Sequence, residues 1–178
     1  MPESLPSERA ATTAAAVLAV GRGQVDGAPA DIASLVRLAD TVGLETLRAL
    51  WREAEPVSLA GCLWTLYILR QWCESGSSEV ARFWSLGEPL AAADAVVAGV
   101  SLLADEAAIG AVANAILTGV FAGDFAVALE RAAAVFRVLA AGRRELNSMA
   151  EDELAERNER AASALSESAR RWRAGTLI

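Results

Sequence analysis

Histidine is absent from this chain, and so is lysine: all 16 basic side chains are arginines. The missing imidazole removes the commonest general acid or base near neutral pH and the commonest metal ligand. The missing ammonium removes Schiff-base chemistry and the point charge that phosphate-binding loops use. Most familiar catalytic constellations therefore cannot be assembled from one copy of this chain. Part of the lysine deficit has a plainer source. Arginine without lysine, beside so much alanine, is what a GC-rich codon supply produces, so a given arginine carries less information about fork geometry.

Other scarcities narrow the class further. The five prolines cluster near predicted helix ends, and no alternating run of β-branched residues reads as a strand. No uninterrupted apolar run reaches the roughly 20 residues of a membrane span. Cys62 and Cys73 are the only cysteines. On one helix they stand about 16 Å apart along the axis, too far for a bridge that needs Cα atoms within about 7 Å. They read as buried, unpaired thiols of a reducing compartment. The run Ala10 to Val20, with Ala28-Pro29-Ala30 after it, has the outline of a signal peptide. Glu3 and Glu8 against the single Arg9 give its start the wrong polarity.

What is abundant is alanine, roughly a fifth of the chain and far above usual composition. Apolar residues make up 54% and charged residues 22%, which argues against disorder. The best helix former in such excess predicts an all-α fold. We read residues 1–178 as a single all-α domain, a helical bundle of about seven or eight helices. Predicted helices run over 8–20, 31–40 and its continuation 44–53, 59–73, 78–86, 90–103, 105–121, 125–141 and 150–174. Ser7, Asp31, Ser58, Ser78, Asp105 and Asp124 serve as starts, and Gly21, Gly76, Gly87 and Gly142 as stops. Polar residues 143–148 form a candidate linker to the C-terminal helix 149–174. A net charge of −7 and a pI near 4.7 gain nothing from counterion release, which disfavours nucleic acid and suits a cytoplasmic protein.

Candidate sites are few. Glu151, Asp152, Glu153 and Glu156 could face a hard cation, yet on a charged terminal helix they read as a solvated face that suits the helix N-terminus; no metal, cofactor or catalytic residue is assigned. Cys73 has Arg70 one turn away, the one arrangement that could activate a thiol. No Gly-x-Ser-x-Gly elbow occurs, and Gly21-Arg22-Gly23 lacks the strand and lysine of a phosphate loop. An enzyme would have to use Asp94, Asp105 or Asp124 with Arg131. The richest signal is aromatic. Trp51, Trp64, Tyr67, Trp72 and Trp84 fall close together, as a shared core or as a pocket for a small apolar ligand or partner helix. Arg170, Arg171 and Arg173 beside Trp172 form the one basic cluster, complementing the helix dipole or docking an acidic surface. With Leu165, the thin apolar stripe of that helix is a candidate dimer contact.

Three stretches carry a resemblance: Gly119-Val120-Phe121-Ala122-Gly123-Asp124-Phe125-Ala126-Val127-Ala128-Leu129-Glu130-Arg131-Ala132-Ala133, Arg171-Trp172-Arg173-Ala174-Gly175, and Cys62 to Trp72. Together they resemble a family of small uncharacterised actinobacterial all-α proteins, over most of the chain. Some members carry the label "DNA-directed RNA polymerase subunit beta". A chain this short, without charged active-site loops, is not a catalytic polymerase subunit, so the label implies at most a transcription-related partner. The resemblance assigns no functional residues. From the residues themselves, the expectation is a non-enzymatic cytoplasmic protein acting through protein–protein contacts, as a homodimer. The alternative is a regulator that binds a small apolar ligand in a Trp-lined pocket.

Overall fold

Capping side chains decide where several helices begin. The carboxylates of Asp31, Asp105 and Asp124 and the hydroxyl of Ser58 each accept a backbone N–H three residues ahead, from Ser34, Ala108, Val127 and Gly61. Each satisfies one orphan donor of a first turn. The computed structural model describes residues 6–24, 31–100 and 105–178. Among these it contains helices and no strand: α1 (Pro6–Gly21), α2 (Ile32–Val36), α3 (Leu38–Val42), α4 (Leu44–Trp51), α5 (Leu59–Ser75), α6 (Ser77–Gly87), α7 (Ala92–Ala98), α8 (Glu106–Ala122), α9 (Phe125–Arg144) and α10 (Met149–Arg173).

The all-α expectation holds, but the count of seven or eight helices is too low. Ten helices occur among the described residues because the segment 31–53 breaks twice. At Arg37 the backbone leaves helical geometry for one residue (φ −95°, ψ 21°), dividing α2 from α3. At Gly43 it takes φ +86°, dividing α3 from α4. The Gly43 break falls in the gap expected between 31–40 and 44–53; apolar periodicity continues through Arg37, so the pattern alone does not reveal that one. Helix α6 begins at Ser77, and Ser78 lies inside its first turn rather than before it. The signal-like Ala28-Pro29-Ala30 and the end of the predicted 90–103 helix lie outside the described residues.

Helix α9 is the axis of the fold. Ala132, Ala133 and Ala134 are all fully buried. Three consecutive positions point in three directions, so α9 is enclosed over most of its circumference, and its charged residues other than Arg143 lie on what remains. Helices α6, α7, α8 and α10 pack on it, and α5 closes the core through α8. Small side chains let the longest helix come close: Ala155, Ala162, Ser168 and Ala169 of α10 are buried, with Leu165 the large residue among them.

The closest approach is between α6 and α9, and two glycines make it. A Cβ on Gly142 would sit 1.8 Å from the carbonyl oxygen of Phe83, and one on Gly87 1.9 Å from that of Val138. Backbone meets backbone there. Gly142 was expected to end its helix. It stands inside α9 instead, which runs on to Arg144 and shortens the connection to α10 to residues 145–148. The next residue, Arg143, carries its guanidinium over the rings of Phe83 (4.2 Å) and Trp72 (5.0 Å) and pairs with Glu151. One turn of α9 thus binds α5, α6 and the start of α10.

This crossing makes a prediction. Gly142→Ala forces two backbones apart and should cost about 3 kcal/mol or more, beyond ordinary overpacking. Gly110→Ala in α8 meets nothing within 4 Å and should stabilise by about 0.5–1 kcal/mol. Urea midpoints of both variants check this; equal small effects would contradict the close crossing.

Candidate contact site on helix α7

The predicted aromatic site divides into separate packing units. Trp51 stacks on Tyr67 (centroids 6.1 Å, interplanar 27°), and its indole N–H donates to Thr13 Oγ1 at 2.9 Å. The Tyr67 hydroxyl donates to the carbonyl of Leu35, and burial pushes its ionisation well above the usual range. Trp72, half-buried, lies against Phe83 and donates to Glu79. Trp84 is fully buried without an acceptor for its N–H, and Trp64 is half-buried. These groups pin α1 to α4 and α5, and α5 to α6. Hollows at the α1–α4 contact, beside Val57, along α7 and beside Arg70 contain no tryptophan in their linings.

The C-terminal cluster is similarly engaged. Glu167 pairs with both Arg170 and Arg171, and the hydrogen bond from Arg171 holds its carboxyl below the usual range. Arg173 donates both guanidinium N–H groups to Glu130 on α9, at 2.6 and 3.0 Å, and lowers that carboxyl too. Trp172 meets Phe125 edge to face at 4.6 Å, with Arg22 5.8 Å over its ring. Arg22 also donates to the carbonyls of Val120 and Gly123 at the end of α8. Leu165 is 1% exposed and packs into the core, so it offers nothing to a second copy. The sequence stripe was real, but α9 covers it.

The remaining candidate chemistry is tied up in the fold. Asp105 and Asp124 are helix caps, and Asp94 pairs with Arg137 at 3.3 Å. Cys62 and Cys73 are free and buried; burial pushes the Cys62 thiol up to about 11 and the Cys73 thiol up to about 12. Arg70, the one side chain placed to activate Cys73, spends its guanidinium elsewhere. It donates to both oxygens of Asp40 (3.0 and 2.9 Å) and to Asn114 (2.9 Å), and pairs with Glu74 (2.7 Å). Only 4% of its side chain is exposed, so it is a buried clamp joining α3, α5 and α8. No cluster of three or more metal-ligating side chains occurs among the described residues, and no described helix is long and apolar enough to cross a membrane.

Among the described residues, helix α7 has no such cover. Ala95 and Ala98 are buried, and α7 packs chiefly on α9. On its other side Pro89, Leu90, Ala92, Ala93, Val96 and Val97 are exposed in one continuous face. Leu90 is 61%, Val97 52% and Val96 80% exposed, and this face has no charged residue. Along it runs an open hollow of about 780 Å3, with Glu88, Ala92, Ala95, Val96 and Gly99 in its lining. The helix stops at Gly99, whose φ of +73° suits glycine. Arg131 of α9 reaches under that stop and donates to the carbonyl of Ala98 at 3.2 Å.

Sequence reasoning missed this face because α7 is apolar on both sides. The stretch 89–100 carries one charge, Asp94, and reads as interior. Its near lack of charge was the available signal; which side met solvent depended on how α9 was covered. No known family model matches this chain, and neither a curated protein nor a solved structure is significantly similar to it.

The Arg70 clamp predicts an acid-sensitive contribution to stability. The Arg70 hydrogen bonds hold the Asp40 carboxyl below its ordinary value of 3.8. A lowered carboxylate stabilises fully above the unfolded value and loses that contribution as pH falls through the folded one. Asp40 is 44% exposed, so solvent screening limits the loss in Asp40→Asn to about 1 kcal/mol near pH 6. The gap between the two urea midpoints should shrink as pH falls below the ordinary carboxyl value of 3.8 and through the lowered one. A gap independent of pH would contradict the ion pair.

Proposed function

We propose that this chain is a non-enzymatic, cytoplasmic helical protein that acts through protein–protein contacts, as a homodimer, and that the outer face of α7 is the surface it uses. The observation that carries the proposal is the uncharged, valine-bearing face of α7 beside an open hollow. Monomeric domains rarely expose such contiguous apolar surface unless it meets a partner. The engagement of the caps, Arg70 and the C-terminal arginines supports a contact role, since each has a structural partner. Two buried, unpaired thiols support a reducing compartment. The resemblance to small actinobacterial proteins, with its transcription-related label, belongs to this reading and adds no residue to it. For a small apolar ligand, the hollow of about 340 Å3 lined by Ala10, Ala54, Val57 and Ile178 is the candidate, and its lining contains no tryptophan.

The test is affinity capture from the native cell with tagged wild-type chain and with Val96→Asp. Val96 is 80% exposed, so the variant should fold with an unchanged helical spectrum. Partners held by the wild type, an untagged copy of the chain included, should fall at least about tenfold, as expected for a charge buried at an interface core. Equal recovery by both would sink the α7 assignment.

A further inference from the structure

The α7 face carries its own complement. Glu88 precedes the first turn of α7, and Arg131 lies under its last, so the two charges flank the apolar face at opposite ends. The helix between them has seven residues, roughly 10 Å at about 1.5 Å per residue. Neither Glu88 nor Arg131 has an ion-pair partner among the described residues. The nearby acids are already matched: Asp94 with Arg137, and Glu130 with Arg173. Shape follows the same logic as charge. Val96 and Val97 protrude, while Ala92, Ala95 and Gly99 leave a hollow beside them. A protrusion and a hollow on one element suit a two-fold contact, in which each copy offers the other the same patch.

We infer that the occupant of this face is a second copy of the chain, docked with the two α7 helices antiparallel. This inference rests on the α7 reading above. The antiparallel arrangement sets Glu88 of each copy against Arg131 of the other, twice by symmetry. Val96 and Val97 of each copy enter the hollow of the other. A parallel arrangement would oppose Glu88 to Glu88 and Arg131 to Arg131, and like charges at such contact are repelled. One short helix from each copy makes a small interface, so the association is weak and reversible.

Charge reversal with mixing tests the charge pairing, and salt dependence tests the orientation, because a parallel wild-type pair would oppose like charges and be strengthened by salt. Molar mass by light scattering is followed from about 1 to about 300 µM, the range for a small interface. Wild type should rise from 18.6 kDa toward twice that mass. Glu88→Arg alone opposes arginine to arginine at both ends, and Arg131→Glu alone opposes glutamate to glutamate. Each should remain at the mass of one chain. Mixed one to one, the two variants regain both pairs and should form a heterodimer of twice the mass, an outcome that unfolded chains cannot mimic. Raised salt should weaken both the wild-type dimer and the mixed one. A wild-type chain that stays at one-chain mass throughout overturns the second copy as occupant. A wild-type dimer that Val96→Asp dissociates, with no recovery on mixing, overturns the antiparallel pairing and leaves the α7 face standing. A dimer indifferent to Val96→Asp removes the α7 face itself.

Discussion

The contact between α6 and α9 at Gly87 and Gly142 governs the rest of the molecule. Carbonyl oxygens of Phe83 and Val138 occupy the places where side-chain carbons would stand, so the two helices touch by backbone and cannot slide without separation. Interiors are packed densely enough to transmit such a constraint. Phe83 is thereby held where Arg143 stacks on it, and Arg143 in turn reaches Trp72 and Glu151. After Gly87 the chain turns through residues 88–91 before α7 begins at Ala92. Helix α7 is then laid on the flank of α9 with one face inward and the other free.

Arginine does the electrostatic work inside this fold. Arg70 joins three helices with a planar fork that reaches a carboxylate through two N–H groups and an amide through a third, which a single ammonium could not do. Arg143 uses its flat faces against two aromatic rings while its edge meets a carboxylate. Arg22 closes the open carbonyls at the end of α8 while lying over Trp172. Elsewhere on the surface the absence of lysine carries no geometric argument. At these three positions the guanidinium geometry is required by what it touches.

Much of the fold was legible in the residues, and its limits have physical causes. Asp31, Ser58, Asp105 and Asp124 were readable as caps because a short oxygen-bearing side chain before an apolar run has a local use. Alanine content and proline placement were enough for the all-α class. Gly43 was readable as an interruption between 31–40 and 44–53, whereas the break at Arg37 was not, because apolar spacing continues through it. Gly142 misled because glycine serves both as a helix stop and as a point of close approach, and only the presence of Phe83 distinguishes them. Leu165 appeared as an exposed stripe because its helix is so polar, whereas α9 needed that one large side chain. The tryptophans were read as a shared core or a pocket; Trp51 and Trp72 pack at different helix pairs, and Trp84 is buried. The α7 face was hidden for the opposite reason: its outward residues look like core.

Aromatic packing and arginine clamps thus account for the residues that first looked functional, and the element with least chemistry is left open to solvent. That is consistent with a protein whose work is contact. Hydrogen exchange at low and high protein concentration tests this most directly. The account predicts that backbone amides of α7, residues 92–98, become more slowly exchanging as concentration rises, while those of the exposed face of α10 do not change. Protection elsewhere on the surface with none in α7 would contradict it.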